Sequence, residues 1–276
     1  MNELCLANLT VGDAGPLELI DAAAAGGFDS VNLWLVEPPA MAHFAHFKHE
    51  VTPVVANRPL IDAIRRRCEE RGVRVFTASA SWLGPTFDEA SIVPVMETLV
   101  ALGARSISLV CWDPDRERFL AHFRAVCAAA ARHALDVHLE FMEYAALKTL
   151  DEARDFIRLA AQPNARIIVD ALHLDRSGGT PAGVQTLEPR TIASVQLCDA
   201  PKVRPAAHAL RDESVNARLL PGEGELPLFA LMDALPKDVV IELETPDASL
   251  AHLTVAERAV RCGGATRRFL ERYHAR

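Results

Sequence analysis

Short apolar runs alternate with longer stretches in which apolar residues recur every three or four positions, from one end of the chain to the other. The short runs predict strands over 4–9, 30–35, 74–80, 106–111, 137–141, 167–170, 194–197 and 239–243. The longer stretches, such as 59–71, 93–102, 116–133 and 150–161, have the period of helices with one buried face. Pro59 suits the first turn of its helix, where a missing N–H costs no hydrogen bond. Asp113-Pro114-Asp115-Arg116 reads as another helix start, with a capping aspartate and charge in the first turn. The stretch 256–273 reads as a last helix that serves packing or assembly. Strands alternating with helices predict βαβ units and a parallel sheet. Eight such units in 276 residues predict an α/β fold, a closed (β/α)8 TIM barrel, as one domain over 1–276. The βα unit is the one repeat, and no Ser/Gly-rich linker divides the chain.

Composition narrows the function classes. Half of the residues are hydrophobic, enough for one large core. No run of 18 apolar residues is present, so no membrane span is expected. The start, Met1-Asn2-Glu3-Leu4-Cys5, lacks a basic segment followed by an apolar one, so a cytoplasmic protein is expected. The formal charge of −8 argues against nucleic acid as a partner, since phosphate binding calls for a basic surface. The six cysteines form no CxxC pair and several sit in apolar runs, so they read as reduced core residues rather than zinc ligands.

Two connections exceed a minimal βα loop. One, 37–57, follows the second strand and carries His43, His46 and His49, which read as a solvated loop. The other, 199–225, follows the seventh strand and is rich in Pro, Arg and Gly. Both leave C-terminal strand ends, the face where such barrels hold their active sites. Long loops there act as lids or substrate contacts more often than as linkers.

Four runs in the second half end in a residue of metal-ligand type. They are Val137-His138-Leu139-Glu140, Ile167-Ile168-Val169-Asp170, Ser194-Val195-Gln196-Leu197 and Val239-Val240-Ile241-Glu242. An ionised group leaves water only when it is paired or metal-bound. One alternative is that each carboxylate caps a helix or pairs with an arginine. The other is that Glu140, Asp170, Gln196 and Glu242 meet at one cation, which would offset their mutual repulsion. Oxygen ligands favour a hard divalent ion, Mn²⁺ or Mg²⁺, over Co²⁺ or Zn²⁺.

These residues carry a resemblance to the xylose isomerase-like TIM-barrel superfamily, the sugar phosphate isomerase/epimerase group. Its carriers are Leu139-Glu140-Phe141, Asp170-Ala171-Leu172-His173, Gln196-Leu197-Cys198-Asp199, Arg218 before Pro221-Gly222-Glu223-Gly224, and Ile241-Glu242-Leu243. The resemblance implies a metal bound by Glu140, Asp170, Gln196 and Glu242, with Glu140 and Glu242 as acid and base. It also implies that His173 and Arg218 contact substrate. It departs from the family at Gln196, where a histidine is usual; a neutral carbonyl oxygen holds a metal more loosely, shifts its preference, or touches substrate instead. The expected activity is a metal-dependent isomerase or epimerase of a sugar, keto sugar or related polyhydroxy carbonyl compound. A lyase on the same scaffold, a dehydratase or a β-eliminating deglycosidase, is the alternative; a non-catalytic carbohydrate-binding barrel is another. The resemblance further implies a dimer or tetramer.

Lesser candidates surround these. Trp34, Trp82 and Trp112 fall near strand ends, as an apolar wall for a flat substrate or as ordinary core. Glu143 and Glu244 rival the named ligands, and Asp199 reads as a supporting residue. Pro221-Gly222-Glu223-Gly224 lacks the Lys/Ser pattern of a phosphate cradle.

Overall fold

The computed structural model describes residues 2–36, 52–79 and 81–276. The loop histidines His43, His46 and His49 therefore lie outside the described residues. The strands are β1 (Leu4–Ala7), β2 (Ser30–Trp34), β3 (Arg74–Ser79), β4 (Ser81–Leu83), β5 (Ser106–Cys111), β6 (Asp136–Glu140), β7 (Ala165–Asp170), β8 (Ile192–Leu197) and β9 (Val240–Leu243). Their order is β3-β2-β1-β9-β8-β7-β6-β5-β4, and the neighbouring pairs run parallel. β3 pairs with β2, while β4, one residue further on, pairs with β5. The two are lengths of one barrel strand, and β3 also packs against β5, so the sheet closes. This is the α/β TIM barrel expected from the pattern, with its third strand split in two.

The strands are apolar on both faces because one face fills the barrel and the other lies under helices. Every residue of β1, β2 and β5 is buried. Leu6, Leu33, Leu109, Leu139, Ile167, Val195 and Ile241 join one continuous core. The helices are α1 (Pro16–Gly26), α2 (Arg58–Arg71), α3 (Glu89–Ala101), α4 (Arg116–Arg132), α5 (Leu150–Ala160), α6 (Ala171–Arg176), α7 (Pro181–Val184), α8 (Leu210–Asn216), α9 (Leu228–Ala234) and α10 (Val255–His274). Their starts follow capping chemistry. Asp115 accepts from the N–H groups of Glu117 and Arg118 to start α4, and Thr254 with Glu257 forms a capping box at α10. The cysteines are free, and all but Cys68 are buried.

Candidate functional site

The C-terminal ends of the strands surround a cavity of about 550 Å³, counted out to its open mouth. Glu140, the last residue of β6, lines it, as do His173, Arg218 and Glu244. Asp170 ends β7 beneath this wall and is fully buried. Its place follows from local chemistry: one carboxylate oxygen accepts from the His173 N–H at 2.8 Å and caps α6. The Asp-x-x-His spacing is thus the geometry of a helix cap, and it draws His173 back over the strand end. One ligand atom each from Glu140, Asp170 and His173 lie within 4.8 Å of one another.

Arg218 is buried at the centre of this group. Its Nη1 donates to Asp170 Oδ2 at 2.5 Å, and its Nη2 lies 3.2 Å from Glu244 Oε2. Nε donates to the Ser214 carbonyl at 2.6 Å, and Nη2 to the Ser214 hydroxyl at 3.1 Å. Arg218, expected as a substrate contact, is therefore chiefly the counter-ion of two carboxylates, although part of it reaches the cavity wall. For Asp170, capping a helix and pairing with an arginine both hold, and neither excludes a further ligand.

Gln196 and Glu242 form a deeper pair. They are in register on adjacent strands, and Asp170 is in register with Gln196 on the other side. Gln196 Nε2 donates to Glu242 Oε1 at 2.8 Å. Neither residue lines the cavity, and Glu242 is not among the ligand atoms gathered by Glu140, Asp170 and His173. Adjacent strands thus bring all four strand ends to one barrel mouth, with Glu140 on the cavity wall and Asp170, Gln196 and Glu242 behind it. Glu244, two residues past Glu242, is the carboxylate that reaches the wall.

Electrostatics separate these groups. Burial, then the charges of Glu244 and Asp170, push Glu140 well above the ordinary carboxylate range. Burial raises Glu242 to about 7, against the hydrogen bond from Gln196, and raises Glu244 to about 8, against Arg218. Burial would also raise Asp170, but Arg218 with His173 outweighs it and holds that carboxyl below its usual value. Burial lowers His173 to about 4, so the imidazole is neutral at neutral pH.

The donor set fits a divalent cation. Gln196 Oε1 and Glu242 Oε2 are buried acceptors without a partner, and the Asn32 amide beside Glu242 makes no hydrogen bond of ordinary geometry. A buried acceptor left empty costs free energy that a cation would recover. Glu140, Asp170, Glu242 and Glu244 share one guanidinium, so without a further cation three of the four are driven towards the protonated form.

Several residues here carry no sequence signal. The Tyr144 and Ser214 hydroxyls are 2.9 Å apart, and Ser214 Oγ is 3.4 Å from His173 Nε2. Ser214 lies on α8, inside the long connection after β8. Of the two places open to the tryptophans, Trp34 and Trp82 take the cavity wall, and Trp112 packs edge-on to Trp82 at 4.8 Å between centroids. Asp199 takes the N–H groups of Ala200, Gly222 and Leu226, so it shapes the Pro-Gly loop rather than the cavity. At Gly224 any Cβ would stand 2.5 Å from the Ala200 carbonyl oxygen, which reserves that position for glycine. Glu143 turns away to an ion pair with Arg204.

Fold and site together define a TIM barrel whose C-terminal mouth carries a carboxylate-rich cavity. The chain belongs to the xylose isomerase-like TIM-barrel family, whose sequence profile matches residues 20–263. Among solved structures it is similar to an IolI protein with a bound zinc atom (14% identity, 98% of this chain and 99% of that one, TM-score 0.80). It is also similar to the probable 3-DHS dehydratase AsbF from Bacillus anthracis (14% identity, 97% and 99%, TM-score 0.74). A third is a D-psicose 3-epimerase with D-tagatose from Clostridium cellulolyticum H10 (14% identity, 98% of each chain, TM-score 0.70). At such identities the likeness is one of fold. No curated protein sequence matches significantly. Among the described residues, no helix is long and apolar enough to cross a membrane.

Proposed function

We propose that this chain is a metal-dependent isomerase or epimerase that removes a proton beside the carbonyl of a small polyhydroxy compound. The observation that carries the reading is Glu140. It is a carboxylate on the cavity wall that receives no hydrogen bond from another described residue, and its Oε1 lies 3.8 Å from His173 Nε2. A buried carboxylate with raised basicity is suited to take a proton from carbon once a neighbouring cation holds it ionised. Arg218 and His173 face the oxygen on which negative charge would develop, one as a fixed cation and the other as a neutral donor or acceptor. Glu244 shares the wall and stays largely protonated near neutral pH, so it can return a proton. This gives Glu244 the second acid–base role that the sequence assigned to Glu242. Return to the same carbon gives an epimer; return to the neighbouring carbon gives an aldose–ketose isomer.

A divalent ion held by Glu140, Asp170, Glu242 and the Gln196 carbonyl would supply Lewis-acid charge at that oxygen. With oxygen donors in the majority we propose Mn²⁺ or Mg²⁺, with Co²⁺ or Zn²⁺ as the alternatives. The reading draws support from an epimerase and a probable dehydratase among the fold neighbours, since proton abstraction beside a carbonyl begins both reactions. Loss of a β-leaving group from the same enediolate would make the chain a lyase. Product mass separates the two, because isomerisation conserves it and elimination releases water or an alcohol.

The test is deuterium uptake from D₂O into keto sugars, with elemental analysis of the protein. The expectation is a stoichiometric divalent ion in the wild type and its loss in the Glu140→Gln/Asp170→Asn variant. Glu140→Gln alone should slow exchange by about 10²- to 10⁴-fold. Exchange that survives both metal removal and Glu140→Gln would overturn the reading.

A further inference from the structure

Arg211, on α8, lines the same cavity, and neither the fold nor the acid–base scheme uses it. Its guanidinium carbon lies 5.5 Å from the Trp112 ring centroid and 5.8 Å from that of Tyr144. Tyr144 in turn packs edge-on against His173 at 5.5 Å. One ring therefore separates this cation from the group that holds Glu140 and Asp170. The two arginines of the cavity differ in one respect. Arg218 is committed to Asp170, Glu244 and Ser214. Arg211 makes no ion pair with any described residue, and the cavity beside it is walled by Leu9, Trp82, Val110, Met142 and Val215.

A half-buried cation facing apolar walls, with no counter-ion among the described residues, gains most from an anion that arrives with the ligand. The aromatic rings fix the plane of the guanidinium, so its paired N–H donors are pre-organised for a planar acceptor. We propose that the cavity selects a polyhydroxy carbonyl compound that also bears a carboxylate, with Arg211 receiving the carboxylate. This rests on the proposed function, because it supplies that activity with its substrate class. A phosphate ester fits less well. Arg211 is the one unpaired cation among the described lining residues, so a second negative charge would find no partner there. A carboxylate brings a single charge and two coplanar oxygens, which one guanidinium satisfies.

The test uses the full chain with Mn²⁺ and two matched pairs of probes, D-fructuronate against D-fructose and D-tagaturonate against D-tagatose. Within each pair a single CH₂OH is exchanged for a carboxylate. Affinity is read by ligand-observed NMR titration and turnover by deuterium uptake from D₂O. The wild type should prefer each acid by about 10- to 100-fold, the size of a desolvated charge-assisted hydrogen-bond pair. In Arg211→Met, which keeps an apolar stem against the rings, that ratio should fall to near one. In Arg211→Lys it should recover in part. A merely structural role for Arg211 would lower both affinities together and leave the ratio alone. A wild-type ratio near one, a ratio unmoved by Arg211→Met, or no binding of either acid overturns the proposal. Failure of the proposed function looks different: the acids bind through Arg211, yet no deuterium enters them.

Discussion

Arg218 pairs with Asp170 and Glu244, and its removal would strand the ionised one, Asp170. Asp170 is buried against it and ionised because of it. Arg218→Met should therefore cost about 3–5 kcal/mol in chemical denaturation, the usual result of leaving a buried charge unpaired. Adding Asp170→Asn to that variant should recover part of the loss, a non-additivity that a double-mutant cycle reads directly. Glu140→Gln should behave in the opposite way. Burial and like charge disfavour the Glu140 carboxylate in the folded state, so in chelator the neutral amide should raise the melting temperature at pH 7–8, although the same change slows exchange. That gain should vanish near pH 4, where the carboxyl is protonated in both states. Glu140, Asp170 and His173 were legible in the sequence because a charged residue closing an apolar run is conspicuous, and a three-residue spacing has a cap geometry behind it. Glu244 was legible only as a rival, since face-sharing along a strand does not tell which residue stands at the barrel's lip. Ser214, Tyr144 and Arg211 were not legible at all. They sit on connections and a short helix, where no period links position to direction.

At the scale of elements, α1 and α10 are the contact that joins the first βα unit to the last. They meet where Gly263 faces the backbone of Gly26: a Cβ on Gly263 would stand 2.1 Å from the Gly26 carbonyl oxygen. Gly263→Ala should destabilise the protein by about 1–3 kcal/mol through overpacking. This outweighs the roughly 1 kcal/mol by which alanine favours a helix interior. Urea midpoints would measure it, and an unchanged or higher midpoint would mean that the helices part without cost. Several long elements were readable from the sequence within a residue or two, α2 at Arg58–Arg71 against 59–71 and α10 at Val255–His274 against 256–273, whereas α3 starts at Glu89, four residues ahead of the expected 93. Short ones were not. α6, α7, α8 and α9 span four to seven residues, fewer than the window over which a helical period can be counted. Three of these, α6, α8 and α9, flank the barrel mouth or its long loop, so the fold was more legible than its site. The split of the third strand was hidden for another reason: both pieces are apolar, and only their partners differ.

For the whole molecule, charge at the barrel mouth links stability to pH and to metal. Glu242 is raised to about 7 and Glu244 to about 8, chiefly by burial, from an ordinary value of 4.5. In the metal-stripped protein these groups hold protons that the unfolded chain has released. Stability from them is complete below pH 4.5 and is lost as pH rises through 7 and 8. The folded state binds more protons over that window, so unfolding free energy falls with pH, by up to about 1.4 kcal/mol per pH unit for each proton retained. A cation binds only the ionised form. Saturating Mn²⁺ or Mg²⁺ should therefore stabilise the protein increasingly as pH rises from 5 to 8 and flatten the slope seen in chelator. Melting curves across that range, with chelator and with each ion, make the comparison. The Glu242→Gln variant should show a shallower slope in chelator and a smaller response to metal, because one carboxylate accounts for part of both. A pH slope that metal leaves untouched would mean that the mouth compensates its charge internally through Arg218, with Glu140, Glu242 and Glu244 protonated in the working protein. Glu140 would then have to give up its proton before it could act as the base, with Arg218 alone to compensate the charge that develops.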